Sequence, residues 1–255
     1  METESLLDLA KNAVLKVGKE IFHENPKSKS KEYFFDANIP KEIKASADKY
    51  IEEKIIQILE PLGISILCEE SGFIELDSNS ESLFILDPLD GTYNFVKGSG
   101  PCCISLALWN KNQPIFGIIY DLNTSKVTWG GKKIGTFLDN KKITVSRENS
   151  PSSSVIASGF PVRFSPDQKG LNDFHQFLDK FAKVRMIGSA AMSLNLVSQG
   201  FFDAYFEKNI MLWDVAAGLA IVEGAGGCYK ILQKDDDYLL DVFATNKFLM
   251  EKIVI

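Results

Sequence analysis

Two short apolar runs in the N-terminal half of the chain each end abruptly in acidic residues. The first covers residues 64–68 and is followed by Glu69, and the second covers residues 83–86 and runs directly into Asp87. Runs of this length and composition are typical of buried strands. If the two strands are neighbours in one sheet, their acidic ends emerge at the same edge. This repeated ending constrains the fold more than any other feature, because it gathers carboxylates at one place.

The second acidic segment reads Asp87-Pro88-Leu89-Asp90-Gly91-Thr92. Its Pro-Leu-Asp-Gly tetrapeptide alone is equally consistent with an ordinary β-turn, because Pro, Asp and Gly all favour turns. Behind a buried strand, however, two carboxylates about 4 Å apart repel each other by on the order of 4 kcal/mol at an effective dielectric constant of about 20. A bound cation relieves that repulsion, and the N–H groups and hydroxyl of Gly91-Thr92 can hold an anion. A bound metal ion and a bound phosphate together account for every residue type in the segment.

A third acidic position, Asp214, precedes the small and apolar residues Val215-Ala216-Ala217-Gly218. Its place at the start of an expected helix is typical of an N-cap, whose side chain accepts backbone N–H groups. The small residues behind it favour close packing of the helix against a sheet, which would turn Asp214 inward. Both interpretations stay open on the sequence alone.

The donor types available to a metal are mainly carboxylates. The chain has two His and four Cys, and they form neither a CxxC pair nor a zinc spacing. An all-oxygen donor set favours a hard cation such as Mg²⁺ or Mn²⁺. Because Mg²⁺ usually shares its coordination shell with substrate phosphate, the pattern indicates phosphoryl-ester chemistry more than a structural ion.

Composition excludes several function classes. The 255 residues carry 28 Lys and Arg against 34 Asp and Glu, a formal net charge of −6, which argues against a nucleic-acid partner. The N-terminus lacks the features of a secretory signal, and no segment approaches the roughly 20 apolar residues of a membrane span. We therefore expect a soluble, cytoplasmic protein without a membrane partner. Its length favours one unit, residues 1–255, with an N-terminal lobe (1–146) and a C-terminal lobe (147–255).

Apolar periodicity predicts the main elements. An amphipathic helix is expected over residues 6–21 with Ser5 and Asp8 as a capping pair, and a second helix over 51–59 has Asp48 at its start. The other expected elements are a loop or irregular hairpin (26–44), antiparallel strands (104–146), strands at 153–158 and 202–206, and helices at 171–181, 190–197 and 215–225.

Four motifs occur in a fixed order along the chain. They are Asp48, Glu69-Glu70-Ser71, Asp87-Pro88-Leu89-Asp90-Gly91-Thr92 and Trp213-Asp214-Val215-Ala216-Ala217. In this order they resemble the signature of the inositol monophosphatase family, which are Mg²⁺-dependent, lithium-sensitive phosphomonoesterases. The likeness extends over nearly the whole chain. It implies the sugar-phosphatase fold, an α/β (α+β) layered αβαβα sandwich with the site between two lobes.

The resemblance implies two or three Mg²⁺ ions per site, with Mn²⁺ as a substitute. The family's ligands carry over to Glu69, Asp87 and the backbone carbonyl of Leu89 for one ion. For a second ion they carry over to Asp87, Asp90 and Asp214. A weaker third ion would lie near Glu69.

The resemblance also implies a mechanism, in-line attack of a metal-activated water on phosphorus without a covalent enzyme intermediate. Thr92 and Asp48 would orient or deprotonate that water, assisted by Glu69. The N–H groups of Gly91 and Thr92 would hold the phosphate. The residues implied in further substrate binding are Gly188, Ser189, Ala190, Glu207 and Asp214, with Arg185 as a neighbour.

Two features depart from the family pattern. Ala45 stands where the family usually has Thr, so any support that Thr gives is absent or comes from Ser46. The segment 26–44 lacks a clear match to the family's upstream Lys, which bears on the third ion and on the lithium response. The candidate replacements are Lys31, Lys41 and Lys44.

The expected substrate is a small polyol or sugar phosphate, with inositol monophosphate first. The segment Thr92-Tyr93-Asn94-Phe95 resembles the inositol phosphatase pattern more than the Lys-containing pattern of the adenosine bisphosphate enzymes. Fructose 1,6-bisphosphatase and 3′-phosphoadenosine 5′-phosphate phosphatase activities stay open. A regulatory binding protein that retains the fold is the non-enzyme alternative, and its expected mark is the loss of a metal ligand. The family also implies a homodimer.

Overall fold

The strands of the chain form two large sheets, and the helices pack against them. The computed structural model describes residues 2–21, 33–35, 43–77, 80–160, 167–234 and 238–253. Its first part contains helices α1 (Thr3–Lys19), α2 (Ser46–Leu59) and α3 (Thr92–Lys97), and strands β1 (Tyr33–Phe35), β2 (Ile43–Ala45), β3 (Ile66–Cys68), β4 (Gly72–Ile74), β5 (Ser82–Asp90), β6 (Cys103–Asn110), β7 (Gln113–Asp121), β8 (Lys126–Gly131), β9 (Gly135–Leu138) and β10 (Lys141–Ile143). Its second part contains helices α4 (Gln168–Leu178), α5 (Ala190–Ser198), α6 (Leu212–Gly224) and α7 (Lys247–Lys252), and strands β11 (Val155–Ser158), β12 (Lys183–Arg185), β13 (Ala204–Met211), β14 (Cys228–Lys234) and β15 (Leu239–Thr245).

The first large sheet has eight strands in the order β10-β9-β8-β7-β6-β5-β3-β4. Its neighbouring strands are antiparallel except β3 and β5, which run parallel with Cys68 opposite Leu86. The two strands that end in acidic residues are therefore neighbours, which is the condition under which their acidic ends emerge at one edge. The antiparallel strands expected over 104–146 are also confirmed.

The second large sheet has five strands in the order β12-β11-β13-β15-β14. Strand β11 runs parallel to both of its neighbours, and the remaining pairs are antiparallel. The strands predicted at 153–158 and 202–206 both belong to this sheet, as β11 and β13. The helices predicted at 171–181 and 190–197 correspond to α4 and α5.

Three hydrophobic cores lie between the layers of helices and strands. Between α1, α2 and the first sheet lie Val14, Ile55, Phe84 and Ile118. Between the two sheets, α5 and α6 contribute to a core that includes Ile119, Leu194, Val215 and Val242. Between the second sheet, α4 and α7 lie Phe177, Phe206, Phe243 and Leu249. The layers alternate helix, sheet, helix, sheet, helix, which confirms the predicted αβαβα sandwich.

Helix α6 packs unusually closely on the first sheet. A Cβ at Gly117 on β7 would lie 2.2 Å from the carbonyl oxygen of Ala217, so only glycine fits there. Two sheet side chains also donate hydrogen bonds to backbone carbonyls of the helix. The indole N–H of Trp109 donates to Ala216 O at 3.3 Å, and the hydroxyl of Thr136 donates to Ile221 O at 2.7 Å. The small residues of α6 permit this approach and fix the helix against the sheet.

Several helices begin earlier than predicted, among them α4, which begins at Gln168 rather than at 171. The first helix begins at Thr3 with Glu2 as its N-cap and has no side-chain cap, so the predicted Ser5–Asp8 capping pair is wrong. It begins earlier because the N–H of Leu6 already bonds to the carbonyl of Glu2. The last long helix, α6, begins at Leu212 rather than at 215.

The strand predicted over 83–86 continues to Asp90 as β5. It continues because β6 pairs with it as far as Asp90 opposite Cys103, with a register irregularity between Asp87 and Asp90. The segment from Pro88 to Gly91 is therefore an irregular strand end and not a simple β-turn.

Of the segment 26–44, the structure describes β1 and the start of β2, which pair antiparallel. Residues 26–32 and 36–42, which include Lys31 and Lys41, lie outside the described residues. Within the described ranges, no helix is long and apolar enough to cross a membrane. The two large sheets fall on either side of residue 146 in sequence, and the division into two lobes stays a prediction.

Candidate active site

The parallel pairing of β3 and β5 brings Glu69 and Asp87 to one edge of the first sheet. The N–H of Glu69 donates to the carbonyl of Leu86 at 3.2 Å, which continues the ladder by one residue. Asp87 is 1% exposed, and its Oδ1 accepts the N–H of Leu89 at 2.9 Å. The irregular strand end thus folds back on the Asp87 carboxylate and holds it in place.

Asp214 reaches the same edge from α6, which packs across the sheet. It is the third residue of that helix, and its Oδ2 accepts the N–H of Met211 at 3.3 Å. It therefore helps to cap the helix without being the N-cap, and it also points inward. Carboxylate oxygens of Glu69, Asp87 and Asp214 all lie within 4.8 Å of one another.

Asp90 lies beside this cluster and joins it to the N-terminus of α5. Its Oδ2 accepts the hydroxyl of Ser189 at 2.5 Å and the N–H of Ala191 at 2.7 Å. Burial raises the pKa of Asp90 to about 6, although these hydrogen bonds favour its ionised form. The thiol of Cys103 also lies 3.9 Å from the same oxygen.

The electrostatics of the cluster favour a cation. Burial raises the pKa of Asp87 and of Asp214 well above the ordinary carboxyl value, and the charges of Glu69 and Asp90 raise both further. Buried like charges at this spacing are unfavourable unless they are neutralised. An all-oxygen set of carboxylates fits Mg²⁺ or Mn²⁺ and not zinc, which prefers His and Cys. The side chains present therefore fit a hard divalent cation.

Asp48 and Thr92 meet next to this cluster. Asp48 is the third residue of α2 and is 2% exposed, and its Oδ2 accepts the N–H of Ala45 at 2.5 Å. Although Ala45 replaces the family's usual Thr, its backbone still holds Asp48. The hydroxyl of Thr92 lies 2.9 Å from the carbonyl oxygen of Leu89 and 3.3 Å from Asp48 Oδ1.

Gly91 allows the chain to turn between β5 and α3. Its φ is +85°, and a Cβ there would lie 2.9 Å from the carbonyl oxygen of Pro101. A side chain at this position would be both strained and obstructed. Glycine at position 91 therefore allows α3 to begin at Thr92, directly after the strand that ends at Asp90.

The predicted substrate-binding residues in the second half of the chain lie at the N-terminus of α5 and on β13. Ser189 is the N-cap of α5, where its Oγ accepts the N–H of Met192 at 3.1 Å while it donates to Asp90. Gly188 and Ala190 flank it. Glu207 on β13 is 6% exposed and accepts the hydroxyl of Tyr205 at 2.8 Å. Burial raises the pKa of Glu207 to about 7.

Arg185 does not join these residues by any described contact. It is exposed on β12, and its guanidinium donates to the carbonyl of Val184 at 3.0 Å. Its place as a neighbour of the substrate stays a prediction.

Two further residues support the site and were not assigned a role from the sequence. Asn94 donates from Nδ2 to the carbonyls of Pro101 at 2.8 Å and Ile187 at 2.7 Å, so it ties the loop after α3 to the loop before α5. Glu52 is buried on α2 and accepts hydrogen bonds from the turn that follows Glu69. Glu52 follows Asp48 by four residues, and this spacing in the sequence indicated that both side chains lie on one face of the helix. The contact of Asn94 with Ile187 spans 93 residues and left no local signal in the sequence.

Comparison with known proteins identifies the family to which this chain is similar. The model of the inositol monophosphatase family matches residues 2–253. The chain is 31% identical over 256 residues to a fructose-1,6-bisphosphatase/inositol-1-monophosphatase of Aquifex aeolicus, covering 97% of this chain and 93% of that protein. It is 34% identical over 185 residues to a Nus factor SuhB of Pasteurella multocida, covering 71% and 68%. It superposes on the structure of an inositol monophosphatase from Anabaena (Nostoc) sp. PCC 7120 with a TM-score of 0.81 at 29% identity, covering 98% and 93%.

Proposed function

Because the chain belongs to the inositol monophosphatase family, whose members are phosphatases, we propose that it is a Mg²⁺-dependent phosphomonoesterase for a small polyol or sugar phosphate. The observation that carries the proposal is the cluster of Glu69, Asp87 and Asp214, whose carboxylate oxygens lie within 4.8 Å of one another and of which Asp87 is buried and the other two half-buried. Such a cluster favours a divalent cation, and a cation held by carboxylates has open positions for a phosphate ester.

The proposed ligands of one Mg²⁺ are Glu69, Asp87 and the carbonyl of Leu89, and those of a second are Asp87, Asp90 and Asp214. A third ion near Glu69 and replacement by Mn²⁺ belong to the same proposal. When bound, such ions lower the pKa of water and neutralise charge on the phosphate and leaving oxygen.

The surrounding residues position the reactants in this proposal. Thr92, whose hydroxyl lies 3.3 Å from Asp48, orients the attacking water together with that carboxylate and with Glu69. The N–H groups of Gly91 and Thr92 hold the phosphate. The proposed contacts to the rest of the substrate are Gly188, Ser189, Ala190, Glu207 and Asp214.

Inositol monophosphate is the first proposed substrate. Fructose 1,6-bisphosphate is a specific second candidate, because the Aquifex aeolicus relative is named for both activities and is aligned over 97% of this chain. A regulatory role alongside catalysis is a further alternative, since another relative carries the name Nus factor SuhB. We also propose a cytoplasmic homodimer, and the four free cysteines agree with a reducing compartment.

Phosphate release from a panel of esters tests the proposal. The panel is inositol monophosphate, fructose 1,6-bisphosphate and 3′-phosphoadenosine 5′-phosphate, each with and without Mg²⁺. We expect Mg²⁺-dependent release that Asp90→Asn lowers by at least about 100-fold. Asp173→Asn, which removes a charge from the exposed side of α4, should leave the rate unchanged. Folded wild-type chain that releases no phosphate from any ester would favour the regulatory alternative.

A further inference from the structure

A buried carboxylate with no role in the proposed chemistry lies one helical turn after Asp48. Glu52 is 2% exposed, and its spacing of four places it on the same face of α2 as Asp48. Its neighbours Ile51 and Ile55 are fully buried, so an apolar side chain at position 52 would cost less free energy than a carboxylate. Burial accordingly raises the pKa of Glu52. A buried acid in an apolar layer therefore calls for a specific partner.

Both oxygens of Glu52 have partners in the turn that follows Glu69. Oε2 accepts the N–H of Glu70 at 3.1 Å, and Oε1 accepts the hydroxyl of Ser71. This turn joins β3 to β4, and β4 is a three-residue strand at the edge of the first sheet. The sheet holds the two ends of the turn, through the N–H of Glu69 and through the pairing of Cys68 with Gly72. The two hydrogen bonds from α2 supply support from the helix layer.

We propose that Glu52 is a positioning residue for the metal site, because it holds the 69–71 turn in the conformation that directs the Glu69 carboxylate towards Asp87 and Asp214. This inference rests on the proposed function, since it takes Glu69 as a metal ligand. Through Asp48 the same helix face also contacts Thr92. Helix α2 therefore fixes both acidic segments of the site relative to each other.

The test is the affinity of the full-length chain for Mn²⁺, measured directly by titration calorimetry or electron paramagnetic resonance. The variants are Glu52→Ala, Glu52→Gln and Ser71→Ala, each checked for folding by circular dichroism. Glu52→Ala should raise the Kd for Mn²⁺ about 10- to 100-fold, the range typical of residues that orient metal ligands. Glu52→Gln keeps an oxygen for the N–H of Glu70 and should recover most of the affinity. Ser71→Ala should give a smaller loss.

Glu53→Gln is the matched control, because it removes one charge from the adjacent, exposed position of α2. A Kd within about twofold of wild type in folded Glu52→Ala would overturn the proposal. So would a Gln variant as weak as the Ala variant, since Glu52 would then act through its charge. If Glu52→Ala does not fold, an unchanged Kd in Ser71→Ala overturns it.

Failure of the proposed function gives a different result. If the wild-type chain binds Mn²⁺ but hydrolyses no ester, the phosphatase proposal is contradicted. The role of Glu52 is then still tested by the Kd values of the variants for Mn²⁺ relative to that of the wild type. Wild-type chain that binds no Mn²⁺ overturns the metal site and the role of Glu52 together.

Discussion

At the scale of single residues, the carboxylates of the site lie close to one another, with Asp87 and Asp90 buried and Glu69 and Asp214 half-buried. Asp87 and Asp90 lie on β5, and Asp214 lies on α6. The charges of Asp90 and Asp214 raise the pKa of Asp87, and the charge of Asp90 also raises that of Asp214. Each is also fixed by a backbone N–H, from Leu89, Ala191 and Met211 respectively. Such an arrangement costs stability in the metal-free chain and prepares a rigid binding site.

Replacing Asp214 by Asn should separate stability from function. Asn keeps an oxygen for the N–H of Met211 but removes one of the repelling charges. We expect the metal-free variant to melt at a higher temperature than the wild type, while its Mg²⁺-dependent activity falls by at least about 100-fold. Differential scanning calorimetry and phosphate release measure the two effects. A lower melting temperature would mean that Asp214 stabilises the metal-free fold.

The hydroxyl of Thr92 offers a sharper test of chemistry. Its position between Leu89 O and Asp48 predicts that Thr92→Val lowers kcat by about 100-fold or more with a smaller change in KM. Thr92→Ser retains the hydroxyl and should keep most of the activity. Steady-state kinetics at saturating Mg²⁺ distinguish the two variants. An equal loss in both would point to packing of the Thr92 methyl group instead.

At the scale of elements, α6 connects packing to the site. Gly117, Trp109 and Thr136 fix the helix on the first sheet, and the helix carries Asp214 at its first turn. The close approach depends on glycine at position 117, where a Cβ would meet the backbone of Ala217 at 2.2 Å.

Gly117→Ala should therefore damage stability and the site together. Overpacking against backbone costs about 1–3 kcal/mol, because neither the strand nor the helix can move without disturbing its hydrogen bonds. We expect a lower midpoint of urea unfolding and, in the folded fraction, weaker Mg²⁺ activation. A variant with the wild-type midpoint would show that α6 has room to shift.

The sequence predicted local elements better than the contacts between them. The acidic ends of β3 and β5 follow strands that are recognisable from their apolar residues, so their meeting at one edge could be inferred on the condition that the two strands are neighbours. The contact of Asp90 with Ser189 could not, because it joins residues 99 positions apart through the packing of α5 on the first sheet. The continuation of β5 through Pro88 was missed for the same reason, since only pairing with β6 reveals it.

At the scale of the whole molecule, the raised carboxyl pKa values couple stability to pH. Burial raises the pKa of Asp90 to about 6 and of Glu207 to about 7, and it raises those of Asp87 and Asp214 as well. Between about pH 4 and their folded pKa values, these groups therefore bind more protons in the folded chain than in the unfolded chain. The contribution of these groups to the free energy of unfolding falls as pH rises through the folded pKa values.

Bound Mg²⁺ should restore the stability that the metal-free chain loses as pH rises. Because the cation displaces protons from the site, the rise in melting temperature on adding excess Mg²⁺ should be larger at about pH 8 than at about pH 5.5. Comparing melts with and without Mg²⁺ at each pH cancels the titration of surface groups. The Asp214→Asn variant is the control and should show little gain at either pH. An equal or larger gain for the wild type at the lower pH would contradict the coupling.

The most direct measurement is the anomalous diffraction of crystals equilibrated with Mn²⁺, recorded at the manganese absorption edge. We predict an anomalous peak within coordination distance of the carboxylates of Glu69, Asp87 and Asp214. Crystals of Asp214→Asn should show a weaker peak or none. An empty cluster in wild-type crystals that bind Mn²⁺ at another place would contradict the assignment of this cluster as the metal site of the phosphatase.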